Sequence, residues 1–432
     1  MNKQKLWQKN QTKLHPLVEQ YTVGQDHILD KELMTYDIQA SQAHAKALEQ
    51  AGILDKNELE QLCSGLTELE QKFKNDEIVI ALADEDCHTV IEKYLTDKLG
   101  VVGKKIHTGR SRNDQVLVAL RLYMKDMIKN TNAEVLKTAE MFLKKAKLYK
   151  NIPLPGYSHT QQAMLSSLGH YYASFVESLL DDHKTLTDIF DAIDKNPLGS
   201  AAGFGTSIPI DRHLTTAELG FKNIQINSLY CQNSRGKFES LFLEGLLQVM
   251  MTLSKFANDL ILFTSQEFGF FTIEEQFTTG SSIMPQKKNL DAMEILRANI
   301  SVMISHQNTI KHLVTHTTSG YHRDLQLIKK PLIESVDIIK KSLLIVQLFI
   351  QGTKPNQEKI KKTISKEIFT ADIANDMVIQ KKLSFRDAYC QAMDQLDSTN
   401  INMEQNIKTK ISLGAPGNLN LEHYEHQIQK LK

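Results

Sequence analysis

Residues 278–297 read TTGSSIMPQKKNLDAMEILR, and they hold the groups best suited to do chemistry in this chain. Gly280, Ser281, Ser282 and Pro285 cannot sit together inside a regular helix, where glycine costs about 1 kcal/mol and proline about 3. From Asn289 onward Leu290, Met293, Ile295 and Leu296 resume a helical pattern, with Asn289 the expected N-cap. The stretch therefore predicts a polar loop feeding a helix N-terminus. Two ammonium groups, Lys287 and Lys288, converge there with the positive end of a helix dipole. Such a place suits an anion, and two small hydroxyls are already present. A serine hydroxyl is a poor base at neutral pH, so either serine could take a proton only if positive charge and hydrogen-bond donors stabilised its anion. A bare Gly-Ser-Ser is an ordinary loop; the lysines and the helix that follow make it a candidate site.

Three further polar clusters interrupt the chain where long helices begin or end. HTGRSRNDQ (107–115) offers Ser111, Arg112 and Asn113, and an arginine binds a carboxylate through two parallel N–H groups. PGYSHTQ (155–161) offers Ser158 and His159, with His159 expected just before a helix. SGYHRDLQLIK (319–329) offers Tyr321, Gln326 and Lys329, the last two on one helix face. Taken singly these read as a surface patch, a structural histidine and a solvated helix face. Together they are rich in Arg, Lys, Asn, Ser and His and contain no cysteine, which suits an organic dianion and neither a thiolate site nor a haem. HLVTH (312–316) has metal-like spacing but lacks the Glu of HExxH and a third ligand, so no metal is expected. GSAAGFG (199–205) has close glycines, but no strand before it and no GK[ST] after it, so no nucleotide loop is expected.

The elements that must position these clusters are long helices. No proline interrupts residues 17–152, which permits a helix over about 113–150. A second is expected over 160–194, a third over 237–265, a fourth after the lysine loop and a fifth over 322–351. In the third, Phe242, Leu246, Val249, Leu253, Phe256, Leu260 and Phe263 alternate steps of four and three, a heptad seam. Leu241, Leu243, Leu247 and Met250 widen it, which suggests a second packing partner. In the fifth, Pro331 predicts a kink. The fold class is mainly α: a small N-terminal helical domain (1–110), a central long-helix bundle (111–354) whose bundles pair in a homo-oligomer, and a small C-terminal helical domain (355–432).

Composition limits the rest. Lys+Arg and Asp+Glu both number 51, so no global charge favours nucleic acid or an anionic membrane, and anion binding must be local. The longest apolar run, 343–350, is broken by Gln347 and is far short of a membrane span; MNKQKLWQKN shows no signal peptide. Four cysteines without CxxC spacing fit a cytoplasmic protein with free thiols.

GSSIMPQKKN resembles the shared loop of the fumarase/aspartase superfamily of lyases. With HTGRSRNDQV and SGYHRDLQ, its QKKN ending is similar to the argininosuccinate lyase family. The resemblance implies reversible elimination of argininosuccinate to L-arginine and fumarate, the last step of arginine biosynthesis. It implies no cofactor and sites shared between the subunits of a homotetramer. It gives proton abstraction to Ser281, proton transfer to His159 held by Glu294, and anion stabilisation to Lys287. Ser111, Arg112, Asn113, Ser158, Asn289, Tyr321, Gln326 and Lys329 fall to substrate binding. Arg235 and His88 match family residues whose role the sequence leaves open. The chain departs from the family pattern at LWQKNQT near its start, at Leu290 and Gly236, where a proline and an aspartate are usual, and at Ser158 for threonine. Alternatives on the same scaffold are an adenylosuccinate lyase-type enzyme and a non-catalytic, crystallin-like structural protein.

Overall fold

The computed structural model describes residues 14–399 and 402–432, so the LWQKNQT segment lies outside the described residues. Among these residues the chain is mainly α-helical, with short two-stranded sheets only. Five long helices dominate: Arg112–Leu148, Leu168–Ile193, Lys237–Thr264, Asp291–Thr315 and Lys329–Gly352. The chain divides into two compact units. One takes residues 1–130, 186–246 and 303–337, the other 131–185, 247–302 and 338–432, so each long helix gives one part to each unit.

In the first unit, local capping sets the helix starts. Asp55 and Glu58 close a reciprocal capping box ahead of Lys56–Lys74. Asp86 accepts from the Thr89 amide at 2.8 Å to start Cys87–Leu99. The parts of the long helices found here are held by polar groups as well as apolar ones. The Arg121 guanidinium donates to the carbonyls of Ile193 and Lys195 and lies 4.3 Å from the Phe238 ring centroid. Gln307 donates to the Ser240 carbonyl (3.1 Å) and to Glu244 (2.7 Å), and His306 meets Ser335 at 3.0 Å. Gly236, with φ +81°, makes the turn into Lys237–Thr264. A Cβ there would lie 2.2 Å from Val314 Cγ1, so a side chain has no room at this position.

In the second unit the interior is aromatic. Phe142, Phe175 and Phe256 come from three different helices with ring centroids 5.1–5.5 Å apart. Thr252 donates to the buried Asp182 at 2.7 Å and also meets Ser178 at 2.7 Å. Gln347 donates to Glu134 (2.7 Å) and Thr138 (3.1 Å).

The heptad seam of Lys237–Thr264 is buried along its whole length. That interior seam also accounts for a helix long and apolar enough, by composition, to cross a bilayer. Two expectations are corrected. The second long helix begins at Leu168, because residues 153–167 form a β-hairpin. Pro331 makes no kink: residues 323–328 form a 3-10 turn and the α-helix starts only at Lys329. Pro331 thus falls in the first turn, where no intrahelical N–H is required of it.

Candidate active site

The loop ahead of the fourth helix is closed at its base. Thr279 and Asn289 exchange backbone hydrogen bonds at 3.1 and 2.9 Å. The Thr279 hydroxyl donates to Asp291 at 2.5 Å, and Lys288 pairs with Glu275 at 2.5 Å. Asn289 is therefore a base-pairing residue and not the N-cap. The helix starts at Asp291, and the Leu290 carbonyl accepts from Met293 (2.9 Å) and Glu294 (3.1 Å). Within the loop, Met284-Pro285-Gln286-Lys287 is a turn with a 3.0 Å bond from the Lys287 amide to the Met284 carbonyl. Ser281 Oγ accepts from the amides of Met284 (3.2 Å) and Ile283 (3.4 Å). Two N–H dipoles pointing at one hydroxyl oxygen favour negative charge on that oxygen. Lys287 and Glu294 are exposed, as are the apolar Ile283 and Met284.

His159 sits at the tip of the hairpin Pro153–Ser158/Gln161–Ser167, not before a helix. His159 and Thr160 both take positive φ, +52° and +59°, the signature of a two-residue type I′ turn. The hairpin is anchored by Gln162, which donates to the Thr363 carbonyl (2.7 Å) and accepts from the Ser365 amide (3.0 Å). Leu165 packs on Ile368, Phe369 and Ile407 beneath it. Ser158 and His159 are exposed, and within the second unit no hydrogen bond joins His159 to Glu294.

The first unit holds the other candidates. Ser111 Oγ accepts from the Asn113 amide at 3.2 Å and so caps the long helix. Arg112 is held by Glu85 (3.0 Å), Asp86 (3.3 Å) and Thr89 (2.8 Å), which fixes the helix start against the 82–89 turn. Gln326 donates to the carbonyls of Thr22 and Val23, both at 3.0 Å. Lys329 is buried and pairs with Asp30 (2.6 Å) and Asp26 (3.2 Å). Burial opposes its charge, but those carboxylates outweigh burial and hold its pKa above the usual range. Burial in turn pushes the Asp26 carboxyl up against the pull of Lys329.

Sequence reasoning missed this acidic core. Asp26 and Asp30 stand four residues apart in a short helical turn, the one local sign of them. It missed Asp114 as well, which accepts from the amides of Ser111, Gly199 and Ala201 and thereby fixes the 199–205 loop. His88 pairs with the buried Asp37 at 2.6 Å; burial works against its charge, and Asp37 prevails to raise its pKa. Asp30, Cys87 and His88 bring possible metal ligands within 4.8 Å of one another. Each is already engaged: His88 Nδ1 by Asp37, and Asp30 by Lys329 and the Cys87 amide. Burial, reinforced by Asp30, also keeps the Cys87 thiol protonated, so the group is better suited to a closed polar core than to a cation.

A family model described as lyase matches residues 10–304. The argininosuccinate lyase of Thermotoga neapolitana is 41% identical over 389 residues, 89% of this chain and 96% of that protein. That of Xanthomonas campestris pv. campestris is 39% identical over 96% of this chain and 97% of the relative. The chain belongs to the argininosuccinate lyase family. Solved structures of other proteins share its fold. An EDDS lyase in complex with formate superposes with a TM-score of 0.80 at 21% identity, covering 97% of this chain and 91% of that one. The class II fumarase of Schistosoma mansoni gives 0.72 at 14% identity, covering 90% and 94%.

Proposed function

We propose that this chain catalyses the reversible elimination of L-arginine from argininosuccinate, leaving fumarate, as the last step of arginine biosynthesis. The observation that carries the reading is Ser281. In a chain of this family its oxygen faces two backbone amides, in a loop tied to the start of a helix and bearing Lys287. Ser281 removes a proton from the carbon beside the distal carboxylate. Lys287, Asn289 and the helix N-terminus stabilise the doubly charged carboxylate that forms. Its electron pair then makes the carbon–carbon double bond as the carbon–nitrogen bond breaks, and His159 delivers a proton to the departing guanidino nitrogen. Glu294 holds His159. Ser111, Arg112, Asn113 and Ser158 position the succinyl end, and Tyr321, Gln326 and Lys329 the arginine end.

We further propose that each site is assembled from several copies in a homotetramer built on the 111–354 bundle, with 1–110 and 355–432 as flanking helical domains. Support comes from the absence of a His159–Glu294 bond within one chain. It also comes from large apolar residues left exposed on the second unit's long helices: Met251, Leu262, Ile295, Val302, Leu344 and Leu348. Four unpaired cysteines suit the reducing cytoplasm. Purified protein given argininosuccinate should release fumarate, followed by ultraviolet absorbance. Ser281→Ala should lower that rate by at least ~100-fold without altering the assembly seen by sedimentation. Unchanged release in the Ser281→Ala variant, or release from adenylosuccinate alone, would overturn the reading.

A further inference from the structure

Asp114 is fully buried, and backbone amides hold its carboxylate. Oδ1 accepts from the Ser111 amide at 2.9 Å, while Oδ2 accepts from Gly199 at 3.1 Å and Ala201 at 2.9 Å. Helix capping accounts for the first of these bonds. Ser111 Oγ caps the long helix by accepting from the Asn113 amide, and Asp114 Oδ1 returns the bond to the Ser111 amide. Oδ2 has no part in that cap. It reaches instead to a loop 85 residues away in sequence.

That loop needs holding. Gly199, Ala201, Gly203 and Gly205 all take positive φ, and the Cβ of Ala201 disfavours such a backbone at its +50°. The chain just beyond the loop packs on the same segment as Asp114 serves: a Cβ on Gly109 would lie 2.6 Å from Ile210 Cδ1. One dry carboxylate therefore ties the 199–205 loop to Ser111, Arg112 and Asn113, which are themselves only half-buried. Those three are the residues to which the proposed function gives the succinyl end of the substrate.

The segment around Asp114 is pinned by other groups as well. His44 donates to the Thr108 carbonyl at 2.9 Å, Arg110 donates to Ser41 at 2.8 Å, and Arg112 donates to Glu85 at 3.0 Å and Thr89 at 2.8 Å. Loss of Asp114 should then free Ser111 and the loop locally, without unfolding the helix entry. Stability alone is a poor reason for a charge here: burial pushes the Asp114 carboxyl up, against the three amides and the Arg110 charge. Asparagine would fill the same space uncharged. It accepts through only one of its two terminal atoms, so it must give up either Ser111 or the loop.

Resting on the function proposed above, we infer that Asp114 is a positioning residue for the succinyl end, locking Ser111 and Asn113 against the 199–205 loop. Succinate and L-arginine, each used to inhibit fumarate release from argininosuccinate, read the two ends of the site separately. Their inhibition constants do not depend on the fraction of protein correctly folded, so a partly unfolded variant remains informative. In Asp114→Asn the succinate constant and the KM for argininosuccinate should both rise by about 10-fold, with kcat changed less. The L-arginine constant should stay within about twofold of the wild-type value, since one displaced hydrogen bond at the far end does not reach it. Asp114→Ala gives up both connections and should raise the succinate constant further. An equal weakening of succinate and L-arginine would overturn the inference, as would a succinate constant unchanged in Asp114→Asn. Absence of any turnover of argininosuccinate by the wild-type chain would instead reject the proposed function itself.

Discussion

Asp182 offers a measurable link between burial and stability. Burial raises its pKa from 3.8 to about 6; Asp181 adds to the rise and the hydroxyl of Thr252 opposes it. The folded chain therefore keeps a proton between those two pH values that the unfolded chain has already released. Stability contributed by this group is full below about pH 4 and is lost as pH rises toward 6. The gap is about two pH units, each worth ~1.4 kcal/mol, so the ionised carboxylate costs up to about 3 kcal/mol at neutral pH. Asp182→Asn removes the titration and keeps an oxygen to accept from Thr252. The variant should be more stable than the wild-type chain at neutral pH by up to about 3 kcal/mol, and the difference should vanish near pH 4. Urea denaturation followed by circular dichroism across that range measures both. An Asp182→Asn variant less stable than wild type at neutral pH, or a difference that does not change with pH, would refute the reasoning.

Other perturbations follow from the same geometry. Lys329→Met leaves Asp26 and Asp30 buried without their cation and should cost about 3–5 kcal/mol in urea denaturation, with most of that recovered when both acids are also made Asn. Gly236→Asp forces a Cβ to 2.2 Å from Val314 at positive φ, so it should destabilise by more than about 2 kcal/mol, and Val314→Ala should relieve part of the cost. Thr160→Gly removes a β-branched residue from the left-handed turn and should raise stability by about 1 kcal/mol with fumarate release unchanged.

The long helices and their seam were legible because the 3.5-residue apolar repeat of 237–264 follows directly from which side must be dry. The loop at 280–289 was legible for a similar reason: glycine, proline and paired lysines leave few alternatives to an irregular segment. The 153–167 hairpin was not. Its strands carry prolines, glycine and polar residues instead of alternating β-branched ones, and its turn is His-Thr where Asn-Gly would announce a type I′ geometry. What fixes it is distant in sequence, namely Gln162 on Thr363 and Ser365, and Leu165 on Phe369. Pro331 misled because the apolar stripe continues through Leu325 and Ile328, although those residues wind as a tighter helix. The Asp26–Asp30–Lys329 group depends on partners about 300 positions apart, a pairing that periodicity cannot express.

The two left-handed residues at the hairpin tip set activity and foldability against each other. Asparagine tolerates that backbone at least as well as histidine does, so a single exchange at position 159 would leave the architecture as sound as before. It would also delete the imidazole on which the proposed proton delivery relies. Descendants of this chain that had lost their chemistry could then persist as well-folded, soluble assemblies, and no measurement of melting or expression would tell them from working copies.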